Sequence, residues 1–300
     1  MLDSLKRHWP EYLMEAAGLG IFMISACLFV ALLEYPDSSV HRVLADSTLR
    51  RVLIGVAMGL TAAGIVYSPW GKQSGAHLNP SFTLTFFRLG KVEGKDAMFY
   101  IIAQFIGGTA GVWLTAKVVG NPISHPSVNY VATVPGTYGP AIAFWAEFII
   151  SFVMMTVVLR VSNHPQLARY TGLFAGGLVA IYISIEAPLS GMSMNPARTL
   201  GSAFFSKGWT ALWIYFTAPP LGMLLAAEVY LTEKGKPGIH CAKLHHQNNK
   251  RCIFCEYRNS RPERDSKALL RLKQLTPAMG QSACKLRPDA NDSTELLQKP

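Results

Sequence analysis

Long apolar runs separated by short polar connections fill the first 231 positions of the chain. A helix needs about 20 apolar residues to cross the hydrocarbon layer of a bilayer. Six runs have that length: 12–33, 52–70, 97–119, 140–159, 170–187 and 209–231. Lys6, Arg7 and His8 precede the first run as they would in a secretory leader. Its apolar core is longer than a leader's and no small-residue cleavage site follows, so the run reads as a retained span. The pattern divides the chain into a transmembrane domain, 1–231, and a polar, largely disordered tail, 232–300.

Two further apolar stretches, 81–87 and 197–205, are too short to cross, and each follows an Asn-Pro pair. Asn is a favoured helix N-cap and Pro a favoured first helical residue, so each pair predicts the start of a half-helix. The pairs lie in two matching octets, SGAHLNPS at 74–81 and SGMSMNPA at 190–197. Each octet follows the second span of its half, and three spans per half give the two copies opposite orientations in the membrane. Glu15 and Glu147 hold matching places early in the first and fourth spans. A single octet is as well explained by a turn, whereas two in register across an inverted repeat predict half-helices that meet near the midplane. Non-helical backbone is tolerated at that depth only where protein buries it or where it lines a wet cavity. The reading is an all-α membrane protein with six transmembrane helices, two re-entrant half-helices and a pore centred on Asn79-Pro80-Ser81 and Asn195-Pro196-Ala197.

Composition adds direction. Half of the 300 residues are hydrophobic, and 28 Lys and Arg against 18 Asp and Glu leave a net charge of +10. Much of that charge lies in the tail, from Lys234 and Lys236 through Arg251 and Arg264 to Lys273, which argues against an ordinary soluble fold. Basic loops stay cytoplasmic. Lys6 and Arg7, then Lys72, Arg88, Lys91 and Lys95, then Arg160 and Arg169, fall on one side with the tail and place both termini in the cytoplasm. Connection 120–139 has no Asp, Glu, Lys or Arg and suits the outer face. Arg42, Arg50 and Arg51 run against the rule and are partly balanced by Glu34, Asp37 and Asp46. The host membrane reads as a plasma or bacterial inner membrane.

Residues 10–231 resemble the aquaporin, or major intrinsic protein, family, through the two octets, Arg198, Glu15 and Glu147. The resemblance implies a right-handed six-helix bundle with two half-helices, assembled as a homotetramer with one pore per subunit. It implies a channel that passes water and other small uncharged solutes. The first octet departs from the family's Asn-Pro-Ala by ending in Ser81, which is small and compatible with a first helical turn. Arg198 stands at the family's constriction arginine, and Met58, Ile183 and Met192 align with the rest of that selectivity filter. Ile183 stands where water-selective members often carry His and Met58 where an aromatic is usual, so this ring is more apolar than a strict water filter. Thr199 and Ala203 replace the Asp and the basic residue of glycerol channels, and Tyr215-Phe216 supplies the aromatic pair of the water branch. The resemblance therefore favours the water branch over glycerol facilitators.

Chemistry supports the same centre. An Asn that caps with its side-chain oxygen leaves its amide NH₂ free to point into a lumen as a donor. Each half-helix N-terminus adds about +0.5 charge, which disfavours protons and cations there. Arg198 lies one turn outward, where a charge costs at least ~2.5 kcal/mol on insertion scales and marks a pathway. Glu15 and Glu147 read as structural acids that bond loop N–H groups; they also admit a second reading, an ion-coupled inverted-repeat transporter. Gly107, Gly108 and Gly111, with Gly172 and Gly176, have the spacing that lets helices approach closely. No nucleophile, base or cofactor loop forms a coherent set, so an enzyme is not expected, nor is a nucleic-acid partner. Membrane lipids and the permeating solutes are the expected partners. In the tail, Cys252-Ile-Phe-Cys255 has zinc-knuckle spacing, and Cys241 with a neighbouring histidine completes four ligands; the set taken is Cys241, His245, Cys252 and Cys255. The alternative is reduced thiols in a basic segment against anionic headgroups.

Overall fold

The structure is a computed structural model that describes residues 2–235 and 238–259, and among these residues all regular structure is helical. In chain order the main helices are α1 (Leu2–Glu34), α2 (Ser47–Tyr67), α3 (Pro80–Arg88), α4 (Gly94–Val119), α5 (Gly139–Ser162), α6 (Thr171–Ile185), α7 (Pro196–Ser206), α8 (Leu212–Lys234) and α9 (Ile253–Asn259). Six of the described helices are long and apolar enough to cross a membrane: α1, α2, α4, α5, α8, and α6 together with the 3₁₀ turn before it. Leu60, Ile106, Trp145 and Leu221 are among many large apolar side chains exposed on the outside. Such a surface belongs in lipid, and the chain is an all-α membrane protein.

The predicted spans are all present, with shifted ends that have local causes. Helix α1 starts ten residues before position 12, because its polar first turns are anchored: His8 Nδ1 lies 2.9 Å from Asp96 Oδ1, and the Tyr12 hydroxyl donates to the same oxygen at 2.6 Å. Helix α2 begins at Ser47, capped by Asp46, whose carboxylate accepts from the amides of Thr48 and Leu49. It ends at Tyr67 rather than at 70, because Ser68 turns extended before Pro69, and Trp70 joins the separate short helix Pro69–Ser74. The arginines that broke the charge rule are largely neutralised. Arg50 pairs with Glu34 at 3.1 Å and also donates to the carbonyls of Leu44 and Ala45, and Arg42 pairs with Asp37 at 2.9 Å.

Packing repeats across the two halves. Helix α1 packs on α4 as α5 packs on α8, and α2 packs on α6 between the halves. Glycines set these distances: a Cβ on Gly107 would lie 2.0 Å from the Ala16 carbonyl oxygen, and Gly59 and Gly176 each face the other's carbonyl so closely that a Cβ would lie 2.4 Å from it. No side chain fits such contacts, which is the use of small residues between membrane helices.

The tail departs from expectation as far as residue 259. Helix α8 runs on to Lys234, and residues 238–259 fold back against the end of the bundle that carries the chain's N-terminus. The segment brings its own core, with Ile239, Ala242, Leu244, Ile253 and Phe254 all buried, which its charge count conceals. Residues 260–300 lie outside the described residues.

Replacing Gly107 by Ala should lower the Tm of the detergent-solubilised protein, since overpacking costs about 1–3 kcal/mol. Gly177→Ala, where no atom lies within 4 Å of the added carbon, should not lower it. Equal Tm values for both variants would contradict this packing.

Candidate functional site

The two octets build one site from opposite sides. Asn79 caps α3 by accepting from the Ser81 amide at 2.8 Å, and Asn195 caps α7 by accepting from the amides of Ala197 and Arg198 at 3.0 and 3.2 Å. The amide groups were expected to be free. Instead, Asn79 Nδ2 donates to the Met194 carbonyl at 2.6 Å, and Asn195 Nδ2 donates to the Leu78 carbonyl at 2.7 Å. Each NH₂ has two hydrogens, so this reciprocal clamp leaves one donor per asparagine for the lumen. The two helix N-termini are thereby fastened to each other.

The loops before the caps share an unusual backbone. Ala76 and Leu78 in one octet, and Met192 and Met194 in the other, have positive φ of 50–55° at matching positions. A left-handed conformation costs a residue other than glycine roughly 1–2 kcal/mol, so something must hold it. Glu15 accepts from the Ser74 hydroxyl and the His77 amide on Oε1 at 2.8 and 3.0 Å, and from the Leu78 amide and Gln104 Nε2 on Oε2 at 2.6 and 2.9 Å. Glu147 accepts from the Ser190 hydroxyl, the Ser193 amide and the Met194 amide at 2.6, 2.7 and 2.7 Å. Tyr100 and Tyr215 complete the correspondence by donating to the carbonyls of Ser74 and Ser190. Both acids are fully buried, and neither lines the cavity described next.

A cavity of about 510 Å³ passes this clamp. Glu34, Ser47 and Arg51 line it toward one end of the bundle, Asn79 and Asn195 border its middle, and Val66 and Leu244 line it toward the other. Pro80, Ser81, Pro196 and Ala197 lie behind the asparagines as the first turns of α3 and α7, and the wall beside the clamp comes instead from Leu78 and Met194. Arg198, Met58, Ile183 and Met192 all line the same cavity. Arg198 Nη1 donates to the Val131 carbonyl at 2.7 Å, held by the left-handed run Asn129–Val131. Sequence reasoning passed over Val131, because an apolar residue in an uncharged loop offers only its backbone. It also passed over Glu186, which shares the Ser190 hydroxyl with Glu147.

The cysteines of the tail segment come together with one change. Cys241, His246, Cys252 and Cys255 place one ligand atom each within 4.8 Å of the others. His245, the histidine selected from sequence, packs edge-on against Tyr67 with centroids 5.2 Å apart, while its neighbour His246 points toward Cys255. Successive side chains of a non-helical segment diverge, and spacing alone does not reveal which one turns inward. The hydrogen bond from the Cys241 thiol holds the Cys252 thiol down to about 4, and the bonds to Cys252 and Cys255 push Cys241 up. A hydrogen bond to Cys252 likewise raises His246. Burial lowers both His245 and Lys243.

A family model described as Major intrinsic protein matches residues 2–230. The chain is 33% identical over 218 residues to the "Probable aquaporin NIP7-1" of Arabidopsis thaliana, covering 72% of this chain and 74% of that protein. It is 38% identical over 184 residues to "Aquaporin NIP6-1" of Arabidopsis thaliana, covering 61% of this chain and 58% of that one. Among solved structures it is similar to the aquaglyceroporin from Plasmodium falciparum, with a TM-score of 0.64 at 20% identity over 74% of this chain and 95% of the other, a likeness of fold alone.

Hydrogen bonds to a charged group are worth about 1.5–3 kcal/mol each, and Glu147→Leu orphans three donors. The solubilised Glu147→Leu variant should unfold far below the wild-type Tm, with Glu147→Gln in between. A carboxylate that served only as a proton relay would show the reverse, an unchanged Tm in Glu147→Gln with transport abolished.

Proposed function

The chain belongs to the major intrinsic protein family, and on that premise we propose that it is a passive transmembrane channel for water and other small uncharged solutes. The observation that carries this reading is the cavity itself, whose walls are mostly apolar and whose middle is bordered by the Asn79 and Asn195 amides, donors fixed by the clamp. A permeating molecule meets amide hydrogens from Asn79 and Asn195, presents its oxygen to them, and turns its own hydrogens outward. Two helix N-termini meet there, each with about +0.5 charge, so a cation or a proton is repelled where a neutral molecule passes.

The second reading, an ion-coupled transporter, needs a carboxylate on the path at the pore centre. Glu15 and Glu147 are instead committed to the loops, which favours the channel. Arg198 with Met58, Ile183 and Met192 makes the selectivity filter. One charged donor opposite three apolar side chains suits water, and also suits small alcohols that present one polar and one apolar face. In this reading α3 and α7 are re-entrant half-helices and the end bearing both Lys6 and Lys234 faces the cytoplasm. Four copies assemble with one pore each, in a plasma or bacterial inner membrane.

Stopped-flow light scattering on proteoliposomes tests the proposal with a panel of water, glycerol, urea, ammonia and peroxide. It should be run in chelating buffer so that no metal on the thiol-rich segment obscures the result. Neutral solutes should equilibrate faster than in protein-free liposomes, without saturation and without an ion gradient. Ile183→His, which adds a polar group to the ring, should lower glycerol flux several-fold relative to water. Uptake that saturates and requires an ion gradient would sink the channel reading.

A further inference from the structure

We propose that Cys241, His246, Cys252 and Cys255 bind one zinc ion, and that this ion clamps residues 239–256 across one mouth of the pore and holds it closed. The gating half of the proposal rests on the channel reading above. The metal half stands on the ligand geometry alone.

The four side chains are spaced for a tetrahedral ion. Zinc–thiolate and zinc–imidazole bonds of about 2.3 and 2.0–2.1 Å set sulfur–sulfur edges near 3.8 Å and sulfur–nitrogen edges near 3.6 Å in a tetrahedron. Here Cys241 Sγ lies 3.4 Å from Cys252 Sγ and 3.8 Å from Cys255 Sγ, and Cys255 Sγ lies 3.8 Å from His246 Nε2. A disulfide would bring two sulfurs to about 2.05 Å, and all three thiols are free. The surroundings suit the ion as well. Three thiolates and a neutral imidazole around Zn²⁺ carry a net negative charge, and the buried ammonium of Lys243 lies beside them, held by the Arg251 carbonyl at 2.5 Å. The Lys243 amide donates to Cys241 Sγ at 3.5 Å, an outer contact of the kind that orients thiolate ligands.

The segment also needs such a clamp. Residues 239–252 contain no regular helix or strand, yet Ile239, Cys241, Ala242, Lys243 and Leu244 are buried. A short irregular stretch orders at a fixed position when a metal supplies the folding energy that its small core lacks. What it covers is the pore. The Leu244 side chain lines the pore cavity, and its amide donates to the Gly75 carbonyl at 3.1 Å. The Ala242 carbonyl lies 2.9 Å from His77 Nε2, and Phe254 stacks on the His77 ring with centroids 5.4 Å apart. His77 stands two residues before Asn79, so the plug is seated on the loop that carries one half of the pore centre.

Elemental analysis and stopped-flow permeability of the full chain in proteoliposomes test both halves. The purified chain should carry one zinc, which Cys252→Ser and His246→Ala lose. Removing zinc with a chelator should raise water permeability several-fold, and restoring zinc should lower it again. Leu244→Ala should keep its zinc yet conduct like the stripped protein, which separates the plug from the clamp. A zinc-free wild-type chain overturns the metal site. Bound zinc whose removal leaves permeability unchanged, with Leu244→Ala equally unchanged, overturns the gate. A chain that conducts in no state, neither stripped nor as Leu244→Ala, overturns the channel reading instead, and the zinc count still decides the site.

Discussion

Backbone amides that lie beyond the reach of bulk water must find acceptors inside the protein, and the loops before Asn79 and Asn195 place such amides at the centre of the bundle. Their bonds run in two directions. The N–H groups of Leu78 and Met194 donate to the buried carboxylates of Glu15 and Glu147, and the carbonyls of the same two residues accept from the opposite asparagine. Leu78 and Met194, one left-handed residue in each loop, are thus held from behind by an acid and from the front by the other half of the molecule. Break one partner and both loops lose their reason to stay irregular. The close approach of Gly59 to Gly176 brings the two halves near enough for this exchange.

That arrangement also decides what the pore centre can do. An asparagine side chain that accepts from its own helix and donates across to the other loop has one hydrogen left, and its donor direction is fixed. Fixed donors at meeting helix N-termini favour an oxygen and oppose a positive charge. In the proposed reading, discrimination among neutral molecules falls to Arg198, whose guanidinium donates to the Val131 carbonyl, and to Met58, Ile183 and Met192, which line the same cavity.

Much of this was legible in the residues because it is written twice. Six spans, two half-helices and two buried acids follow from length, Asn-Pro pairs and matching octets, and each copy supports the other. What stayed hidden is what no side chain advertises. Val131 acts through a carbonyl in a left-handed run of ordinary residues. The second role of the asparagine amides depends on the distance between halves, which no local pattern reports. The choice of His246 over His245 depends on which of two neighbours turns inward. The docked segment was masked by its charge, since five buried apolar side chains are few among so many lysines and arginines.

The central claim, that one rigid donor pair admits neutral molecules and refuses protons, is tested most directly by following water flux and internal pH together. Zinc-stripped proteoliposomes would carry a pH-sensitive dye and be studied under an osmotic and a proton gradient, over a range of temperatures. The account predicts fast water flux with an activation energy well below that of protein-free lipid, while the proton gradient decays no faster than in protein-free vesicles. Water flux with the steep temperature dependence of bare lipid, or collapse of the proton gradient at the rate of water flow, would contradict it.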